Sequence, residues 1–274
     1  MTKTLIGSLA GASLAALALT AGSALAADMG KPVYKAPPPA PAPVYSWTGC
    51  YIDAGGGYGL WNQDRYDDPL APVPGSITTT SGGRGWLGRV GGGCDYQIAP
   101  RWVVGAFGDY DFMRVHGAVQ DSWLGVAGDE NESRAWAVGG RFGYLVTPDV
   151  LAYFDGGYTQ TRFDQENPGW SVPPFTPGPG VYLAAQNYNG WFIGGGTDVS
   201  LASLLPGLPT GLFLRSEYRY SGYGGADNQV ICTSVVLCGA LGPTLDVHIQ
   251  PYVQTATTSL VWRFNFSGPV VTRD

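Results

Sequence analysis

Between residues 49 and 266, large apolar side chains alternate with glycine or charge in about eight successive stretches. A period of two sends neighbouring side chains to opposite faces, so each stretch is expected to be a β-strand. The last stretch, Leu260-Val261-Trp262-Arg263-Phe264-Asn265-Phe266, has large apolar residues at the even positions and polar ones at two of the three odd positions between. Turn-forming residues cut the domain into strands at 49–61, 84–98, 101–115, 133–146, 150–163, 188–201, 211–223 and 251–266. Three connections are short: Ala99-Pro100, Thr147-Pro148-Asp149 and 202–211, the last holding Pro206 and Pro209. Four are long: 62–83, 116–132, 164–187 and 224–250. Long and short alternate, which places every long loop at one rim of an up-and-down barrel. The expected fold is all-β, an eight-stranded antiparallel up-and-down transmembrane β-barrel.

Which face carries the charge decides what such a barrel meets. One face takes Ile52, Tyr58, Trp86, Val90, Tyr96, Trp102, Tyr110, Phe112, Trp136, Phe142, Tyr144, Phe154, Trp191, Ile193, Leu214, Tyr218, Tyr220, Trp262, Phe264 and Phe266. The other takes Asp53, Arg89, Asp95, Asp109, Asp111, Arg141, Asp155, Asp198, Arg215, Glu217, Arg219 and Arg263. A soluble lipocalin-like barrel would bury the second set and leave the aromatics in water, an apolar surface far beyond an ordinary patch. A barrel in lipid reverses this, with aromatics outward and charge in the lumen. Buried charges must be paired, so the seven acids and five arginines of that face are expected to form an ion-pair network. An eight-stranded interior is just wide enough for its own side chains, which argues against a wide pore.

The chain ends fix the compartment. Lys3, the apolar stretch from residue 5 to 19 and Ala24-Leu25-Ala26 read as a secretory signal peptide at residues 1–26. Residues 27–46 hold six prolines and read as an extended periplasmic linker. The barrel is expected at 47–266 and a C-terminal tail at 267–274. Beyond residue 46 no apolar run is long enough for a membrane helix. Removing Lys3 leaves 14 basic groups against 21 acidic ones, net −7. That balance argues against nucleic acid as a partner; the partners expected are outer-membrane lipid and the barrel-insertion machinery, with any extracellular ligand unknown.

Several segments carry a family likeness. Tyr45-Ser-Trp-Thr-Gly-Cys-Tyr-Ile after the Ala-Pro linker, Gly105-Ala-Phe-Gly-Asp-Tyr, Gly140-Arg-Phe-Gly-Tyr, Gly194-Gly-Gly-Thr-Asp, Arg215-Ser-Glu-Tyr-Arg-Tyr and the aromatic last strand occur in order. Together they resemble the small outer-membrane β-barrel proteins of α-proteobacteria, often called outer-membrane immunogenic or porin-family barrels. The resemblance implies the barrel fold across nearly the whole mature chain. For function it implies a range: structural proteins, porins, antigens and, in some members, hemin binders. This chain departs from the pattern at Cys50, where phenylalanine is usual, at Phe107, where an inward acid is expected, and in the residues that follow Phe266.

Four cysteines in a secreted chain invite pairing. In a hairpin whose paired residue numbers sum to about 144, Cys50 faces Cys94, and Cys232 and Cys238 would close a small loop. The disulfides expected are Cys50–Cys94 and Cys232–Cys238. A zinc site is the competing reading, but no Cys-x-x-Cys is present and no histidine lies close in sequence. The two histidines, His116 and His248, fall in expected external loops, where together they could approach a heme iron. No catalytic constellation, metal site or cofactor is expected. The function expected is envelope integrity and surface display, with a narrow porin-like channel and a loop-borne surface binder as alternatives.

Overall fold

The computed structural model describes residues 46–67, 78–121, 126–166, 169–170, 181–232 and 245–264. The signal peptide, all of the linker but Ser46, Phe266, the tail and Cys238 lie outside them. Eight long strands carry the period-two pattern: β1 (Gly49–Asp67), β2 (Thr78–Ala99), β3 (Trp102–Asp121), β4 (Val126–Thr147), β5 (Val150–Phe163), β8 (Gln186–Ser200), β9 (Leu212–Tyr223) and β11 (Leu245–Phe264). Each pairs antiparallel with the next, and β1 pairs with β11, which closes the ring. Closure leaves no strand edge in lipid, where an unpaired peptide group would cost several kcal/mol.

Three short strands sit outside the ring: β6 (Gly169–Trp170), β7 (Val181–Leu183) and β10 (Ala226–Cys232). β10 pairs with the loop-side end of β11, β7 pairs with β10, and β6 pairs with β4. A four-residue helix, α1 (Leu201–Leu204), opens the β8–β9 turn.

The strands reach well past their expected loop-side ends. Residues 62–67, 78–83, 116–121, 126–132 and 245–250 are strand and not loop. Beyond the lipid both faces of a hairpin can be polar, so the apolar alternation fades while the backbone ladder continues. At the opposite rim the expected ends at 101, 201 and 211 fall in turn or helix.

Even-numbered residues of β1, β2 and β3 face outward, and they are strongly apolar around the barrel's waist. Trp86 is 73% exposed and Phe154 79%. Ring pairs such as Trp102–Phe142 and Trp136–Tyr158 tie neighbouring strands across this wall. On the loop side the apolar belt stops where outward positions turn polar, at Asn62, Arg84, Arg114, Arg134, Arg162 and Asn187. A continuous outward apolar band of this kind is the signature of a barrel surrounded by lipid.

Candidate functional site in the barrel lumen

The inward side chains stack in layers along the barrel axis. At the short-turn end, residues 46–48 fold under the wall and Trp47 is wholly buried. Its Nε1 donates to the Pro148 carbonyl at 3.1 Å, and its ring lies 5.0 Å from that of Phe213. Tyr51, Val103, Leu145, Leu151, Tyr153 and Val261 complete this apolar floor.

Above the floor lies charge. Arg215 grips Asp198 with two bonds of 2.7 and 2.9 Å and reaches Asp53 at 3.3 Å. Arg141 and Arg263 both pair with Asp95, and each also touches Asp198. Higher up, Arg89 holds Asp111 in a two-bond fork of 2.7 and 2.8 Å and meets Glu217 at 2.7 Å. Arg219 forks onto Asp109 at 3.0 and 2.8 Å and also meets Glu217. Tyr153 donates to Glu217. Asp155 departs from the expected network. It is buried opposite Arg141 on the neighbouring strand, but it makes no ion pair and neither carboxylate oxygen has a hydrogen-bond partner among the described residues. A side chain at Gly194 would collide with its carboxylate. The twelve charged residues of the inward face thus share one interior.

Arginine suits this crowding because its planar guanidinium both forks onto carboxylates and stacks on rings. Arg141, Arg215 and Arg263 all lie over the Tyr51 ring, at 4.6 to 5.2 Å. Phe107, where the family pattern leads one to expect an acid, sits with Phe192 under the Arg219 guanidinium.

Toward the loops the lumen turns apolar again. Trp61, Leu87, Met113, Val115, Phe163, Tyr188, Tyr223, Ile249 and Val253 form a second buried cluster. Trp61 fits because Gly83 and Gly117 face it without side chains. Beneath this roof, a cavity of about 10 Å³ touches Asp111, Glu132 and Arg219, room for one water.

A last polar group closes the loop-side rim, beyond the edge of the apolar belt. Arg65 pairs with Glu130 at 3.1 Å and Glu166 at 2.9 Å, and Gln63 donates to Glu130. One guanidinium faces two carboxylates, so charge is left over. Burial pushes the Glu130 carboxyl up to about 7, and Arg65 offsets this only in part. Burial likewise pushes Glu132 up to about 8. Its Oε1 accepts from Thr161 at 2.6 Å, while Oε2 has no partner among the described residues.

These rim residues and both apolar clusters escape sequence reasoning. Gln63 and Arg65 continue the odd, inward register of β1, a signal that was available. Glu130 and Glu132 were not readable, because a register shift between Glu132 and Arg134 inverts the parity of β4. Trp47 carries no period, since it precedes the first strand.

A disulfide joins Cys50 and Cys94, which face each other across β1 and β2. The Cys232–Cys238 pairing lies outside the described residues through Cys238. The histidines correct an expectation. His116 and His248 lie on strands and not in loops, and they do not meet. The register carries His116 through Arg84 and Leu60 to Gln254, six residues along β11 from His248. Three strand spacings and six residues separate them by roughly 20 Å or more, so one iron cannot bind both. His248 instead contacts Asp227 at 2.6 Å on the exposed surface.

With this geometry in place, the likeness to known proteins becomes specific. The family model described as Outer membrane protein beta-barrel domain matches residues 12–264. Two curated relatives, the 31 kDa outer-membrane immunogenic proteins of Brucella melitensis biotype 1 and Brucella suis biovar 1, are each 27% identical over 226 residues. That span is 78% of this chain and 85% of theirs. Among solved structures, the outer membrane protein OprG from Pseudomonas aeruginosa aligns with a TM-score of 0.50 at 16% identity. The alignment covers 79% of this chain and 97% of that one, a likeness of fold alone.

Proposed function

The chain belongs to the family of outer membrane protein β-barrel domains, and from that premise we propose that it is a closed structural barrel. It strengthens the outer membrane of a Gram-negative envelope and holds its loop-side strand ends on display. No catalytic step and no solute pathway are part of this reading.

The observation that carries it is the burial of the lumen charges away from bulk water. The side chains of Asp95 and Asp198 are fully buried, and those of Arg89, Arg141, Arg219 and Arg263 are at most 4% exposed. An ion pathway needs charged walls that water can reach. Here opposite charges face inward onto one another, with an apolar cluster at each end. The display half of the proposal draws on the long loop-side extensions of β1 to β4 and β11, and on relatives whose name calls them immunogenic.

Conductance of the purified protein in a planar bilayer tests the reading. A flat baseline at neutral pH is expected. Steady unitary openings would replace the closed barrel with the narrow-channel alternative.

A further inference from the structure

Four arginines without ion pairs point away from the lumen on four consecutive strands. Arg84 lies on β2, Arg114 on β3, Arg134 on β4 and Arg162 on β5. Among the described residues, none of the four guanidinium groups makes a hydrogen bond or an ion pair. This contrasts with the five lumen arginines, each of which holds at least one carboxylate.

The register makes them one stripe. Arg84 faces His116, Arg114 faces Trp86, and Arg134 faces Phe112 on one side and Arg162 on the other. Like charges directly opposite each other on paired strands are destabilising, so the Arg134–Arg162 pair calls for an anion between them. Of the outward acids near the stripe, Asp64 accepts from Thr80 and Asp164 from Asn131 and Ser133. Exposed Asp129 faces Ala118, two positions past His116 toward the loops and away from the Arg134–Arg162 pair.

The stripe sits at the edge of the apolar belt. Two positions below Arg84, Arg114 and Arg134 on the same face are Trp86, Phe112 and Trp136. Across the barrel, β8 and β11 present Asn187, Asn189, Gln250 and Gln254 at the matching outward positions, which are neutral. The positive charge is therefore one-sided, not a ring of charge distributed for solubility. It is also wholly arginine, since the three lysines of the chain are residues 3, 31 and 35. Arginine forks onto phosphate oxygens where lysine offers a point charge. Beside Arg84 and His116, a groove of roughly 440 Å³ opens over Gly82 and Gly117, with Leu60 and Gln254 also in its lining.

We propose that this face binds a phosphorylated glycolipid of the outer leaflet. Its phosphate bridges Arg134 and Arg162, Arg84 and Arg114 extend the contact, and its acyl chains lie on Trp86, Phe112 and the wall below. The inference rests on the outer-membrane placement and on the loop end facing outward, and is independent of whether the barrel conducts.

The test uses the full mature protein in phosphatidylcholine vesicles, alone or with bisphosphorylated lipid A, dephosphorylated lipid A or inorganic phosphate. Lipid retention on the immobilised barrel and the thermal unfolding midpoint are read. Bisphosphorylated lipid A is expected to be retained and to raise the midpoint, while the dephosphorylated form and free phosphate do neither. R134Q/R162Q is expected to weaken retention about tenfold, a loss of ~1.4 kcal/mol. In phosphatidylcholine alone, R162Q is expected to be at least as stable as wild type, because the repulsion is gone. That control separates a lost ligand from a lost fold, and R84Q/R114Q gives a second reading if the first double variant does not fold. Equal retention by R134Q/R162Q, or equal retention of the dephosphorylated lipid, overturns the proposal. A midpoint shift reproduced by inorganic phosphate assigns the stripe to free anion and overturns the lipid.

Discussion

Asp198 is the most heavily used single group in the lumen, fully buried and bonded to Arg141, Arg215 and Arg263 at once. Removing one member of such a cluster strands the others, a loss of about 3–5 kcal/mol for a buried pair. Asp198→Ala is therefore expected to lower the unfolding free energy of the vesicle-embedded barrel, measured by urea titration, by that amount. Glu132 presents the opposite case, a carboxyl whose burial works against its charge. Its folded value of about 8 lies above the ordinary 4.5. The folded state therefore holds the proton more tightly, and stability is full below pH 4.5 and falls as pH rises toward 8. Glu132→Gln cannot ionise, so it is expected to be more stable than wild type by a few kcal/mol above pH 8. Below pH 4.5 the two should be equal, and thermal unfolding at both ends checks the sign. Of these two residues, Asp198 was legible because it keeps the period of its strand. Glu132 was hidden by the register shift beside it.

At the scale of the element, the β1–β2 hairpin is the most constrained part of the wall. Cys50 and Cys94 cross-link it at a separation of 44 residues. Closing a loop of that length in the unfolded chain is worth about 4 kcal/mol in the chain-entropy model. Cys50→Ser/Cys94→Ser is expected to lose up to that much in urea unfolding, and reductant should take wild type to the same midpoint. The pairing could be read from sequence because hairpin residue numbers keep a constant sum. Strand ends could not be read so well. Within lipid, a strand must alternate between two solvents, and the pattern is sharp. Past the lipid edge that demand disappears, and Gly82-Gly83 or His116-Gly117 looks like loop while the hydrogen-bond ladder runs on.

For the whole molecule, orientation followed from asking which face bears charge, and eight strands followed from counting alternations. What the alternation could not give was the vertical order of the lumen. A period of two says which residues face inward but nothing of their sorting into apolar floor, ionic middle and apolar roof. That order depends on stagger between strands, which only the register supplies. It matters to the proposed closed barrel because the shielding of the charges is then spread over three layers and does not rest on any one residue.

The floor has a consequence for the order of assembly. Trp47 precedes the first strand, yet its seat is made by Pro148, Phe213, Val261 and Arg263, with Arg263 donating to its carbonyl across 216 positions of chain. That seat does not exist until β11 has come round to meet β1. The domain's first aromatic residue is thus among the last to settle, a cork that fits only a finished bottle.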